Sequence, residues 1–191
     1  MLAFDDTFWG IQPTTAMYRS GLLRVWEYRC CEGSTHGRQH WAQVHKLVLA
    51  LSEQLQLKPW AQACVEVFAW THELARKNDA TEEQHSLESS EYFLRISSRI
   101  FPELDTRQRK LIALAIAHHA DGTTAWEHIL DKGNPIADLE DSCLADILGC
   151  CWDADRLDLL RMGVIPESKI MSTSAWQAVM PLAETLNRTP V

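Results

Sequence analysis

The sequence predicts an all-α protein, a single-domain helical bundle over residues 1–191. Three observations predict it. Apolar residues recur with a helical period along almost the whole chain, and no segment sustains the alternation of a half-buried strand. The 8 Gly and 7 Pro are gathered at a few breaks between the periodic stretches. With 46% apolar residues the chain has ample material for one buried core, and no repeat, low-complexity tract or linker marks a second domain.

The elements follow in order. After an irregular start, a helix is expected over about Thr15 to Arg29, broken by Cys31 to Gly37. The next runs from about Gly37 to Gln56, with Val44, Leu47, Val48 and Leu51 on one stripe. Pro59 suits a first helical turn and opens a helix whose one face carries Cys64, Val65, Phe68, Ala69 and His72. Thr81 with Gln84 three residues later has the form of a capping box, starting a helix that reaches about Ile100. Asp105 or Thr106 caps another, ending near His119 before Asp121-Gly122. An irregular region around Lys132 to Pro135 precedes a helix from about Leu139 to Arg161. Beyond Gly163 a loop with Pro166 leads to a last helix, Thr173 to Leu186.

Charge narrows the function. The 26 Asp+Glu against 18 Lys+Arg leave a net charge of −8, and an acidic surface lacks the cations that displace counterions from a nucleic-acid backbone. Small molecules and metal ions are the expected partners. The first twenty residues carry Asp5, Asp6 and Pro13 and have no basic region followed by an apolar one, so they do not read as a signal peptide. The longest apolar run, Leu111 to Ala117, is 7 residues, against about 20 for a membrane span. The 6 Cys form no C-x-x-C pair and read as small buried hydrophobes of a reducing, cytoplasmic setting.

The 8 His are the distinctive feature. His40 shares a stripe with Val44 and Leu47, His72 with Phe68 and Val65, and Asp155 with Cys151 and Leu148, so all three point toward a common interior. Glu73 follows His72 directly, His85 lies in the first turn after the Thr81 cap, and His118 and His119 close a helix. Imidazole and carboxylate without thiolate is the donor set of an open, catalytic metal site, and bundle interiors are where such sites are built. It suits Mn, Fe, Co, Ni or Zn, with Mg also admitted, rather than a calcium cage. Trp41, Trp70 and Trp152 lie beside these residues as pocket wall or as core packing.

The order His, His-acid, His, His, Asp on successive helices resembles the HD-domain superfamily of metal-dependent phosphohydrolases. His36-Gly37-Arg38-Gln39-His40-Trp41 is similar to the first-histidine motif of a bacterial subgroup, and Phe68 to Asp79 to its doublet segment. Cys151-Trp152-Asp153-Ala154-Asp155-Arg156-Leu157-Asp158-Leu159 is similar to its final Asp-Arg-Leu-Asp motif. The likeness covers about Ser34 to Ala175 and departs at one position, where the family's His-Asp doublet is His72-Glu73.

The resemblance implies an HD-type bundle with metal ligands at His40, His72, Glu73 and Asp155. His85, with His118 or His119, would extend the site to a second metal or to phosphate; His36 is a further candidate. The implied reaction is hydrolysis of a phosphate ester such as a nucleotide, with Glu73 and Arg76 in catalytic roles and Lys77, Arg156 and Arg161 behind Arg76. Because Glu73 replaces Asp, the alternative is a catalytically attenuated metal- or nucleotide-binding regulatory protein. An oxygen-binding haem or di-iron helical protein would use the same donors.

Overall fold

The computed structural model describes residues 35–76 and 84–188. The expected helix at Thr15 to Arg29, Cys30, Cys31, Thr81, and Lys77, Asn78 and Asp79 lie outside the described residues. Within them the chain is all-α: seven α-helices, two short 3-10 turns and no strand.

Helix α1 (Arg38–Gln54) turns Val44, Leu47, Val48 and Leu51 inward, each at most 1% exposed, so the predicted stripe is the buried one. Helix α2 (Pro59–Thr71) begins with its proline at the first turn and is buried on nearly every side. Helix α3 (His85–Ile100) starts after Gln84, which makes no side-chain cap. Its buried Ser side chains take the place of bulk: the Ser89 hydroxyl accepts from the Ala75 amide at 2.9 Å, and Ser90 donates to the Ala113 carbonyl at 2.7 Å. Helix α4 (Thr106–His118) settles the choice of cap: Asp105 accepts from the Gln108 amide at 2.7 Å, and Gln108 accepts from the Asp105 amide at 3.0 Å.

The sequence reading has no counterpart for α5 (Ala125–Lys132), placed just before the expected irregular region. Its signal is a capping box: the Thr124 hydroxyl accepts from the Glu127 amide at 3.2 Å, and Glu127 accepts from the Thr124 amide at 2.8 Å. Gly133, at φ +78°, ends the helix after two turns.

Helix α6 (Asp141–Asp158) is the axis of the bundle, packing on α1, α2, α5 and α7 and touching α4. The expected continuation to Arg161 tightens into a 3-10 turn, Leu159–Met162, closed by Gly163 in the left-handed region. A strap from Ile170 to Thr173 is bound across α6. Asp153 accepts from the Ser172 amide (2.7 Å), the Thr173 amide (2.9 Å) and the Thr173 hydroxyl (2.8 Å). Arg156 donates to the Ile170 carbonyl and, at 2.7 Å, to the Thr123 carbonyl. Gly149 makes the close approach possible, since a Cβ there would meet Thr173 Cγ2 at 2.6 Å. Helix α7 (Trp176–Arg188) starts three residues later than predicted and buries Val179 and Ala183.

Cys64, Cys150 and Cys151 are buried free thiols, as expected, and burial pushes the Cys64 thiol up to about 12, which makes it inert at neutral pH. Among the described residues no helix is long and apolar enough to cross a membrane.

Candidate metal centre

Helix ends build the centre. His40 sits in the first turn of α1, His72 caps the C-terminus of α2 with Glu73 in the turn beyond, and His85 is the first residue of α3. His119 caps the C-terminus of α4, and Asp155 lies in the last turn of α6. Three C-terminal ends, with their partial negative charge, therefore face the same place, which favours a cation there.

The predicted residues meet in two linked groups. In the first, His40 Nε2 lies 2.9 Å from His72 Nε2, and Asp155 Oδ1 lies 3.4 Å from the former and 3.5 Å from the latter. In the second, His85 Nε2 is 3.2 Å from His119 Nε2 and 3.6 Å from Glu73 Oε2. His36 joins them, with Nδ1 3.2 Å from Glu73 Oε1. The donor atoms of each group all lie within 4.8 Å of one another, as do those of His36, His40 and Glu73. Bonds of about 2.0–2.2 Å to one ion, at about 90–110°, set neighbouring ligand atoms roughly 2.8–3.6 Å apart, so the donor set fits a metal.

The outward faces of the rings explain why, in the neutral rings, the inward nitrogens carry the lone pairs. His40 Nδ1–H donates to Asp158 Oδ2 at 2.6 Å, and Arg161 Nε donates to the same oxygen at 2.9 Å. His72 Nδ1–H donates to the Phe68 carbonyl at 3.2 Å, and His119 Nδ1–H to that of Ile116 at 2.7 Å. Each such bond fixes the tautomer that leaves Nε2 as an acceptor, the arrangement of metal-ligating histidines. Two acceptors 2.9 Å apart, His40 and His72, repel unless a proton or a metal ion lies between them.

Electrostatics follow from the crowding. Burial would raise the carboxyls, but the His36 hydrogen bond and the surrounding imidazoles hold Glu73 well below the usual carboxylate range, and His72 does the same for Asp155. Burial pushes His119 down to about 4. It opposes protonation of His72 too, yet the hydrogen bond and charge of Asp155, with the charge of Glu73, leave His72 raised.

These shifts give the metal-free protein a two-sided pH profile. As pH falls from about 6.5 to about 4, the unfolded chain protonates His119 before the folded one does, so stability drops across that window. His72 acts in the opposite sense. Its contribution is complete below the ordinary value of 6.5 and is lost as pH rises through its raised one. Urea unfolding in chelator should therefore show maximal stability near pH 6.5, His119→Gln flattening the acid limb and His72→Gln the alkaline limb. Identical profiles in the variants would refute the assignment.

Other sequence-predicted residues are placed elsewhere. His118 is turned away from the cluster and lies with Asp121 and His128. Arg76 lies against Glu73, with Nη1 3.2 and 3.4 Å from its two oxygens. Arg161 holds Asp158, and Arg156 holds backbone carbonyls. Trp41, Trp70 and Trp152 are at most 6% exposed and belong to the core; Trp152 Nε1 donates to the Ala115 carbonyl at 2.9 Å. Sequence reasoning missed Asp158 as the partner of His40, although its place one turn beyond Asp155 on the same helix face was a usable signal. Compared with protein-family models, with curated proteins and with solved structures, the chain has no match.

Proposed function

We propose that the His40–His72–Asp155 and Glu73–His85–His119 groups hold divalent metal ions and that the chain is a metal-dependent phosphohydrolase with an HD-type bundle, working in the cytoplasm. The observation that carries this reading is the pair of imidazole nitrogens, His40 and His72 Nε2, facing each other at 2.9 Å with their other nitrogens engaged as donors. The motif resemblance supplies the reaction class, hydrolysis of a phosphate ester such as a nucleotide.

Held by His40, His72 and Asp155 and by Glu73, His85 and His119, divalent ions would supply activated water at neutral pH and polarise a phosphoryl oxygen. The chain's own residues do the rest. Asp158 and the Phe68 and Ile116 carbonyls orient the imidazoles, Glu73 reaches His36 and His40 as well as His85 and His119, and Arg76 places a cation beside it to meet an anionic ester. One observation favours the attenuated, regulatory alternative: Arg76 faces both Glu73 oxygens, an ion pair that a metal has to share or displace.

Glu73→Asp separates the two readings. The longer Glu reaches His36, His85 and Arg76 together, and removing one methylene withdraws the carboxylate by about 1.5 Å, the length of a C–C bond. Manganese-dependent hydrolysis of a generic phosphodiester and of a nucleotide panel should fall about tenfold or more in Glu73→Asp, because the site is built around Glu. A rise in turnover would show instead that Glu73 attenuates catalysis.

A further inference from the structure

We propose that His118, Asp121 and His128 form an outer binding site for a divalent transition-metal ion, separate from the central cluster. His118 Nδ1 lies 2.7 Å from Asp121 Oδ2, the His118 and His128 rings are 4.3 Å apart between centroids, and one donor atom from each of the three falls within 4.8 Å of the others. Two imidazoles and one carboxylate make a three-ligand set that leaves a fourth position for water. That set selects zinc, nickel, cobalt or copper over calcium and magnesium, which take oxygen ligands.

His128 supplies the second observation. It is 5% exposed and packed edge-on against Trp152, at 5.6 Å and 85°, yet its ring makes no hydrogen bond among the described residues. Its ring nitrogens are not among the fully enclosed unpartnered atoms, so an ion can reach them from the solvent side. His118 and Asp121 leave the site open to solvent, with side chains 27% and 43% exposed.

The frame is rigid. His118 is the last residue of α4, Asp121 lies in the turn before Gly122 at φ +69°, and His128 follows the capping box of α5. The Ala125 amide donates to Ser172 Oγ at 3.0 Å and Arg156 donates to the Thr123 carbonyl, so this corner is tied to α6 and its strap. Neighbours on one helix end thus serve different sites: His119 turns inward to His85, and His118 turns outward to Asp121. An ion in the outer site pins the end of α4 to α5 next to the central ligand His119.

Zinc stoichiometry of the full chain tests this, by calorimetric titration of the parent, His128→Gln, His118→Gln and Asp155→Ala, with circular dichroism as the check on folding. His118→Gln and His128→Gln should each bind one zinc per chain fewer than the parent. Asp155→Ala should keep that outer equivalent and lose it when His128→Gln is added, whether or not the central site is catalytic. Parental stoichiometry in either folded single variant would overturn the proposal. Should His128→Gln fail to fold, the more exposed His118→Gln decides alone.

Discussion

Asp155→Ala is expected to lose the metal shared with His40 and His72 and to lower phosphodiester hydrolysis by about a thousandfold or more, which corresponds to roughly 4 kcal/mol of transition-state stabilisation. The size follows from position. Asp155 Oδ1 is the one anionic donor atom of its group, within 3.5 Å of both imidazole nitrogens, and no other described carboxylate shares that group. Removing it leaves two neutral donors, too few to hold a hydrated ion against solvent. The fold should survive, because Asp155 is partly exposed at 20% and its backbone stays within α6. Metal content and turnover of the purified variant check the result; parental turnover would contradict it.

Trp152→Ala should do the reverse, costing about 3–5 kcal/mol of stability through the cavity it opens. Trp152 is fully buried on the central helix and is the largest such side chain among the described residues. Its indole N–H is also the tie from α6 to the Ala115 carbonyl of α4, so truncation leaves that carbonyl unpaired. Urea unfolding of the variant measures the loss, and a change under about 1 kcal/mol would show that α6 is not the axis of the core.

The contrast between these residues, three apart on one helix, shows what could be read in advance. Periodicity placed His40 with Val44 and Leu47, and Asp155 with Cys151 and Leu148, and those stripes are the ones that face inward. Local chemistry placed Pro59 and the Asp105 cap. Where the chain leaves a helix, periodicity no longer decides direction. His118 and His119 are adjacent at the end of α4, and which one turns inward depends on the turn at Asp121 and on the packing of α3. Helix α5 spans eight residues, too short for its period to stand out, and its capping box went unread, so His128 had no assigned neighbours. Arg76, given a catalytic role by the resemblance, has its guanidinium on Glu73, a contact three residues apart in the turn beyond α2 that helical periodicity does not describe. Asp158, known from the sequence only as part of the final motif, accepts from both Arg161 and His40, a double role that only the packing of α6 against α1 reveals.

Anomalous scattering from crystals grown with manganese, nickel or zinc tests whether the two His and carboxylate groups hold metal ions. A peak is expected bounded by His40 Nε2, His72 Nε2 and Asp155 Oδ1, with ligand bonds of about 2.0–2.2 Å, and a second between Glu73, His85 and His119. Protein at equilibrium with excess metal that shows no peak at either group would contradict it.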